Sequence, residues 1–253
     1  MTVADPLPRI AYFHGLPGGA GEWQCCAPPD LFAFAPDRNA ATNPAALARR
    51  VLDNCHHENL ILIGFSLGAP IALAVARELG ERVAQIHLIS PAAPLHLGHF
   101  LDDMAGGGLF RLARSSPTLF KMVARFESLL ARTMPFFLLD RLFASAVGED
   151  RALRCDPAFR QAMAAILREG LGRDPSGFVA EVRAYVSDWR DDLSRARAPV
   201  TIWQGDLDSW TPPSMAEALA TALPGPVTLH RLPGCAHYST LYAALGKVQQ
   251  ATF

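Results

Sequence analysis

The five residues Gly64-Phe65-Ser66-Leu67-Gly68 constrain this chain more than any other stretch. They stand between an apolar run, residues 60–63, and an alanine-rich run, residues 69–79, so the local order reads strand, sharp turn, helix. A serine at such a turn is pushed into a strained backbone conformation, and small residues two positions before and after must leave room for it. Gly64 and Gly68 meet that demand, and the Ser66 hydroxyl is expected to project into open space, as in a nucleophile elbow. A lone G-x-S-x-G also marks ordinary turns; the strand before it and the helix after it give it weight here.

The flanking sequence keeps the same rhythm. Short runs rich in branched and aromatic residues predict strands at 10–13, 31–35, 60–63, 83–89, 200–203 and 227–232, alternating with helices at 45–52, 70–79 and 214–223. Most of these runs are too uniformly apolar for a sheet with one wet face. They predict an α/β fold: a mainly parallel sheet of about six strands, flanked by helices and joined by right-handed crossovers. Pro70 falls in the first turns of its helix, where a missing N–H costs least.

From about residue 95 to 198 the strand rhythm stops. Nine of the 14 phenylalanines and four of the six methionines lie there, spaced largely as helical faces. The expected organisation is a core made of residues 1–94 and 199–253 with a helical cap inserted over 95–198. Gly106-Gly107-Gly108, Ser115-Ser116-Pro117 and Asp156-Pro157 supply breaks between helices, with Asp156 or Ser176 as N-caps. The aromatic side chains are expected mainly to pack the cap against itself, with some left to line a ligand site.

Composition narrows the function. With 253 residues, half of them hydrophobic, the chain can bury a large core. A formal net charge of −1 supplies no electrostatic footprint for nucleic acid. No stretch approaches the roughly 18 apolar residues of a membrane span, and residues 1–9 show no basic segment with an apolar signal core, so no membrane association and a cytoplasmic location are expected. The five cysteines, Cys25, Cys26, Cys55, Cys155 and Cys235, are odd in number and lack metal-type spacing, so they read as free or buried thiols. No H-E-x-x-H motif or Cys/His cluster suggests a metal. The glycine-rich stretch 15–21 lacks the Lys-Ser/Thr of a phosphate loop and has Pro17 where a dinucleotide turn needs glycine. No cofactor and no metal are expected.

A serine hydroxyl is a poor nucleophile at neutral pH and needs a base within hydrogen-bond reach, itself oriented by a third group. Two later segments offer these groups. The strand at 200–203 runs on into Gln204-Gly205-Asp206-Leu207-Asp208, and the strand at 227–232 into Pro233-Gly234-Cys235-Ala236-His237. Strand C-termini converge at one edge of an open parallel sheet, where ligands bind, so Ser66, an acid and His237 can meet there. Asp206 and Asp208 are rival candidates for the acid. His56, His57, His87, His96, His99 and His230 lack a comparable context and read as structural or solvated. His14 is expected to shape its own loop by hydrogen bonding.

At these motifs, over nearly its whole length, the chain resembles the α/β-hydrolase superfamily. His14-Gly15-Leu16-Pro17-Gly18-Gly19 is similar to that family's oxyanion loop, with Glu22-Trp23 as its usual continuation. Gly205-x-x-Asp208, with Pro212 beyond it, resembles the acid loop, and Gly234-Cys235-Ala236-His237 resembles the histidine loop. The resemblance implies that Ser66 is the nucleophile, His237 the general base and then acid, and Asp208 the group that orients His237. It assigns the oxyanion to the backbone N–H groups of Leu16 and Leu67. The first strand here is similar to the family's third, which implies a sheet without the usual first hairpin; Asp37 is kept, but Arg38-Asn39-Ala40 replaces the glycine-rich continuation. The expected activity is cofactor-independent hydrolysis of a small or medium, largely apolar ester, thioester or related acyl compound through an acyl-enzyme. The alternative is a non-hydrolytic use of the scaffold, as a ligand receptor or binding protein or in carbon–carbon hydrolase, lyase or haloperoxidase chemistry. A partial likeness of residues 14–19 to the His-Gly-Gly-Pro-Gly of proline iminopeptidases makes a peptidase a lesser option.

Overall fold

Uniform burial of consecutive strand residues fixes the architecture. The computed structural model describes residues 9–38, 43–55, 58–172, 174–189, 193 and 197–252; residues 1–8, Asn39, Ala40, His56 and His57 lie outside them. Six strands, β1 (Ile10–Phe13), β2 (Ala33–Phe34), β3 (Leu60–Phe65), β4 (Val83–Ile89), β5 (Val200–Gly205) and β6 (Val227–Leu232), form one sheet in the order β2-β1-β3-β4-β5-β6. Every neighbouring pair is parallel. All residues of β1 and β3 are buried, so side chains on both sheet faces are covered, as an unbroken apolar run requires. At the edge, β6 instead exposes Thr228, His230 and Arg231.

The other edge is shorter than its sequence predicts. The expected strand at 31–35 contracts to Ala33–Phe34 because the Leu31 N–H turns back to the Pro28 carbonyl (3.0 Å) and the Leu31 carbonyl accepts the Trp23 indole N–H (3.3 Å). Around the sheet run α1 (Gly21–Cys26), α2 (Pro44–Asn54) and α3 (Gly68–Leu79). Asn43 caps α2, its side chain accepting the Ala45 N–H at 2.8 Å. Pro70 is the third residue of α3, where its missing N–H leaves no carbonyl unpaired.

Between β4 and β5 the described residues carry α4 (Gly107–Ser115), α5 (Pro117–Thr133), α6 (Pro135–Leu142), α7 (Asp150–Cys155), α8 (Pro157–Leu171) and α9 (Ser176–Tyr185). Proline opens α5, α6 and α8, where its fixed φ suits a first helical residue. Asp156 caps α8 by accepting the Phe159 N–H (2.7 Å), as its sequence suggests. Ser176 does not cap α9: it is the first helical residue, and Asp174 accepts both its N–H (3.1 Å) and its hydroxyl (2.8 Å). A carboxylate two residues upstream outcompetes the serine for that N-terminus.

After β5 and β6 come α10 (Pro213–Ala222) and α11 (His237–Thr252). The packed aromatic residues of the helical stretch make two kinds of contact, while Phe126, Phe136 and Phe137 stay exposed. Phe120 and Phe178 pack on each other within it (6.0 Å between ring centres), whereas Phe143 and Phe159 reach Tyr238 of α11 at 5.5 and 5.6 Å. These aromatic contacts tie the helices to the histidine-bearing end of the sheet. Among the described residues no helix is long and apolar enough to cross a membrane.

Candidate active site

At the end of β3 the chain turns sharply into α3, and Ser66 takes up the turn with φ of 53°. For a side chain with a Cβ this left-handed conformation costs about 1–3 kcal/mol. The turn survives because its polar backbone is fully engaged: the Ser66 N–H donates to the Ile89 carbonyl (3.0 Å), and its carbonyl accepts the N–H groups of Ala69 and Ala92 (both 3.1 Å). The glycines do what the sequence motif requires. A Cβ on Gly64 would lie 2.7 Å from Ala69 Cα, and one on Gly68 would run into the Phe13 carbonyl of β1.

His237 begins α11 and Asp208 follows β5. The structure brings them together: His237 Nδ1 lies 2.8 Å from Asp208 Oδ2, with both residues about 3 % exposed. Asp206 takes no part in this contact; it is exposed and accepts the Gly234 N–H at 3.1 Å. Asp208 also accepts the backbone N–H groups of Trp210 (2.9 Å) and Thr211 (3.0 Å), and the Thr211 hydroxyl lies 3.0 Å from its second oxygen. Burial alone would push the Asp208 carboxyl up, but the His237 charge and the hydrogen bonds from His237, Thr211 and Ser90 outweigh it and hold the group below the usual carboxylate range. Burial likewise pulls His237 down, and Asp208, with smaller help from Asp150 and Glu22, carries it above the ordinary histidine value. Between the Phe65 ring (4.7 Å) and the Trp210 ring (5.8 Å) the imidazole has little room to rotate.

Ser66 and His237 border one small cavity together with Gly15, Leu16, Pro17 and Trp210. No direct hydrogen bond joins Ser66 Oγ to the imidazole among the described contacts. With Nδ1 turned to Asp208, Nε2 is the ring nitrogen left to accept a proton. Leu16 lines this cavity and, with Leu67, its larger neighbour, and among the described residues neither backbone N–H has an acceptor. Beside it a larger cavity of about 430 Å³ runs from Ser66, Leu16 and Leu67 between α4, α5 and α6, walled by Met104, Phe110, Leu138 and Phe178. Glu127 and Arg141 are the charged residues in its lining; burial pushes the Glu127 carboxyl up, while Arg141 draws it back down.

The sequence reading did not assign the groups that hold these loops. Buried Glu22 accepts the Gly15 N–H (3.0 Å) and the Tyr12 hydroxyl (2.6 Å), fixing the loop that carries Leu16. Arg38 donates to the His14 carbonyl (2.6 Å) and forms a two-pronged ion pair with Glu181 of α9 (2.9 and 2.6 Å). Glu169 of α8 accepts the Ala20 and Gly21 N–H groups (2.8 and 3.3 Å) at the start of α1. Asp150 of α7 accepts the N–H groups of His237, Tyr238 and Ser239. Glu22 had a sequence signal in its place after the glycine-rich loop. The others lie remote from the motifs they serve and had none.

His14, His87, His96 and His230 have structural partners. His14 is buried, with Nδ1 2.8 Å from the Gly15 carbonyl, and burial holds it well below the ordinary histidine value, with Arg38 adding to the effect. His87 accepts the Trp203 indole N–H (3.2 Å) and is pushed down to about 4 by burial. His230 stacks on Trp203 and His96 lies 3.8 Å from Asp188. The five cysteines are free thiols, and none lines either cavity at Ser66. Among the described residues no group of three or more His, Cys, Asp or Glu side chains is placed to hold a metal ion.

With this geometry in place, a family model described as the alpha/beta hydrolase fold matches residues 8–244. Comparison with curated proteins gives no match. Among solved structures, a bromoperoxidase from Bacillus anthracis superposes with a TM-score of 0.66 at 16% identity, covering 96% of this chain and 90% of that one. An enol-lactonase from Burkholderia xenovorans gives 0.64 at 16% identity over 97% and 90% of the two chains. A thermophilic esterase from Thermogutta terrifontis gives 0.61 at 20% identity over 97% and 88%. At such identities the likeness is one of fold.

Proposed function

The chain belongs to the alpha/beta hydrolase fold family, and on that premise we propose that it is a serine hydrolase acting on small to medium, largely apolar esters, thioesters or related acyl compounds. The observation that carries this reading is the buried His237–Asp208 contact of 2.8 Å opening onto the same cavity as the strained Ser66. Ser66 Oγ attacks the acyl carbon while His237 Nε2 takes its proton. Asp208 keeps the imidazole in the tautomer that accepts there and stabilises the imidazolium that forms. The oxyanion is received by the N–H groups of Leu16 and Leu67; one oxyanion donor is worth about 2.7–4 kcal/mol in a serine protease of unrelated fold. His237 then protonates the leaving group, and water, deprotonated by the same nitrogen, releases the acid and restores Ser66. These steps ask for no cofactor.

The apolar walls of the cavity beside Ser66 support the substrate class. A second reading draws on the missing Ser66–His237 hydrogen bond: a scaffold that binds ligand without turning it over. One experiment separates the two. Under the hydrolase reading a fluorophosphonate probe labels the wild type and leaves Ser66→Ala unlabelled, and p-nitrophenyl esters are cleaved faster as the acyl chain lengthens to fill the cavity. Folded wild type that takes no label favours the binding role, and a preference for charged or very short acyl groups counts against the apolar substrate.

A further inference from the structure

The helical stretch between β4 and β5 does more than wall the cavity. Asp150, the first residue of α7, is 3 % exposed and sits against the start of α11, the helix that His237 opens. Its Oδ2 accepts the N–H groups of His237 and Tyr238, both at 3.0 Å, and its Oδ1 accepts the N–H (2.7 Å) and the hydroxyl (2.5 Å) of Ser239. The first N–H groups of a helix have no partner within it and usually find one in a side chain just upstream. Here α11 takes its cap from a carboxylate 87 positions away in sequence. Ser239 closes the arrangement, its hydroxyl oxygen accepting the Ala236 N–H at 2.8 Å. The neighbouring backbone is joined as well: the Glu149 N–H donates to the Gly234 carbonyl at 3.1 Å.

From this geometry, and on the serine-hydrolase reading above, we propose that Asp150 is a positioning residue for His237, a remote N-cap that sets where the imidazole stands between Asp208 and Ser66. A buried carboxylate that receives three backbone N–H groups has both electrostatic and geometric hold on that first turn. Freeing the turn would let His237 drift from Asp208 and from the cavity, and a misplacement of about 1 Å costs about a hundredfold in rate. Three charged groups bear on His237, namely Asp208, Asp150 and Glu22, and each stabilises its protonated form. Asp150 therefore leaves a signature in the titration of the base that a purely structural cap would not.

The test compares full-length wild type, Asp150→Asn and Ser239→Ala for fluorophosphonate labelling rate and for ester kcat and KM from pH 5 to 9, with thermal melting as the folding control. In Asp150→Asn, kcat and the labelling rate are expected to fall about 10–100-fold with KM little changed, and the acid limb of the profile to move to lower pH as one negative charge leaves His237. Ser239→Ala, which leaves Asp150 on the His237 N–H, is expected to lose less than about fivefold with the limb in place. If Asp150→Asn does not fold, Asp150→Ser, an uncharged cap, takes its place in the same comparison. Wild-type rate and an unmoved acid limb in the Asp150 variant overturn the proposal while leaving the hydrolase reading intact. A folded wild type that takes no label overturns both.

Discussion

The sheet and the helical stretch meet at the same cavity but contribute to it in opposite ways. On the sheet side, Ser66 and Asp208 follow β3 and β5, and His237 follows the turn after β6, each close in sequence to the strand that places it. On the helical side, Asp150, Glu169 and Glu181 border neither Ser66 cavity, and each reaches across to a loop that belongs to the sheet. Asp150 holds the histidine turn, Glu169 the start of α1, and Glu181, through Arg38, the His14 carbonyl. The sheet presents the groups proposed to react, and the helices carry carboxylates that hold those loops. Tied down at three such points, these helices clamp the loops of the sheet beside the cavity between α4, α5 and α6.

The largest effect expected lies on the sheet side. Asp208→Asn should lower ester kcat by about 10⁴-fold, the scale seen when the orienting acid of a serine protease is replaced, whereas Asp206→Asn should leave it within about fivefold, since it loses one exposed loop contact. Steady-state kinetics on one ester substrate decides this, and a reversed order of the two variants would transfer the orienting role to Asp206.

Next in size is the buried link between the two regions. The side chains of Arg38 and Glu181 are 1 % and 9 % exposed, and removing one partner of such a pair leaves an uncompensated charge worth about 3–5 kcal/mol. Arg38→Met is therefore expected to lower the unfolding free energy by that amount, read as a lower urea midpoint at unchanged slope, and to reduce turnover through the loop carrying Leu16. A variant as stable and active as the wild type would mean that the clamp at this point is incidental.

The smallest effect is a matter of pH. The proposed mechanism needs His237 neutral, so rate should rise with pH, by about tenfold per unit on the acid limb, with a midpoint above the ordinary histidine value because the group is raised. Stability follows each partner separately. The raised His237 contributes stability that is fully present below its unfolded pKa and is lost as pH rises through its folded pKa. The lowered Asp208 contributes stability present above its unfolded pKa and lost as pH falls through its folded pKa. Denaturation midpoints across pH in wild type and Asp208→Asn measure this, and parallel curves for the two would show that the pair adds nothing.

Much of the sheet was legible because its signals are local. An unbroken apolar run such as 60–63 has one stable use, a strand covered on both faces, and Gly64 and Gly68 matter through their immediate neighbours. Where one local signal met another close by in the chain the expectation shifted, as at residues 31–35, cut short by the Trp23 and Pro28 contacts, and at Ser176, displaced by Asp174. Asp150 had no signal in the chain, since an acid after Gly148-Glu149 looks like any surface turn until α7 is laid against α11.

Residue order alone thus determined an α/β sheet, the elbow at Ser66 and the rival acids Asp206 and Asp208, because backbone sterics and hydrophobic periodicity act over a few neighbouring positions. Packing decided that Asp208 meets His237, that Arg38 joins Glu181, and that Asp150 caps the histidine's helix. Those choices depend on which donors are left unpaired when distant segments are buried together, and the chain has no such groups to satisfy until it has folded.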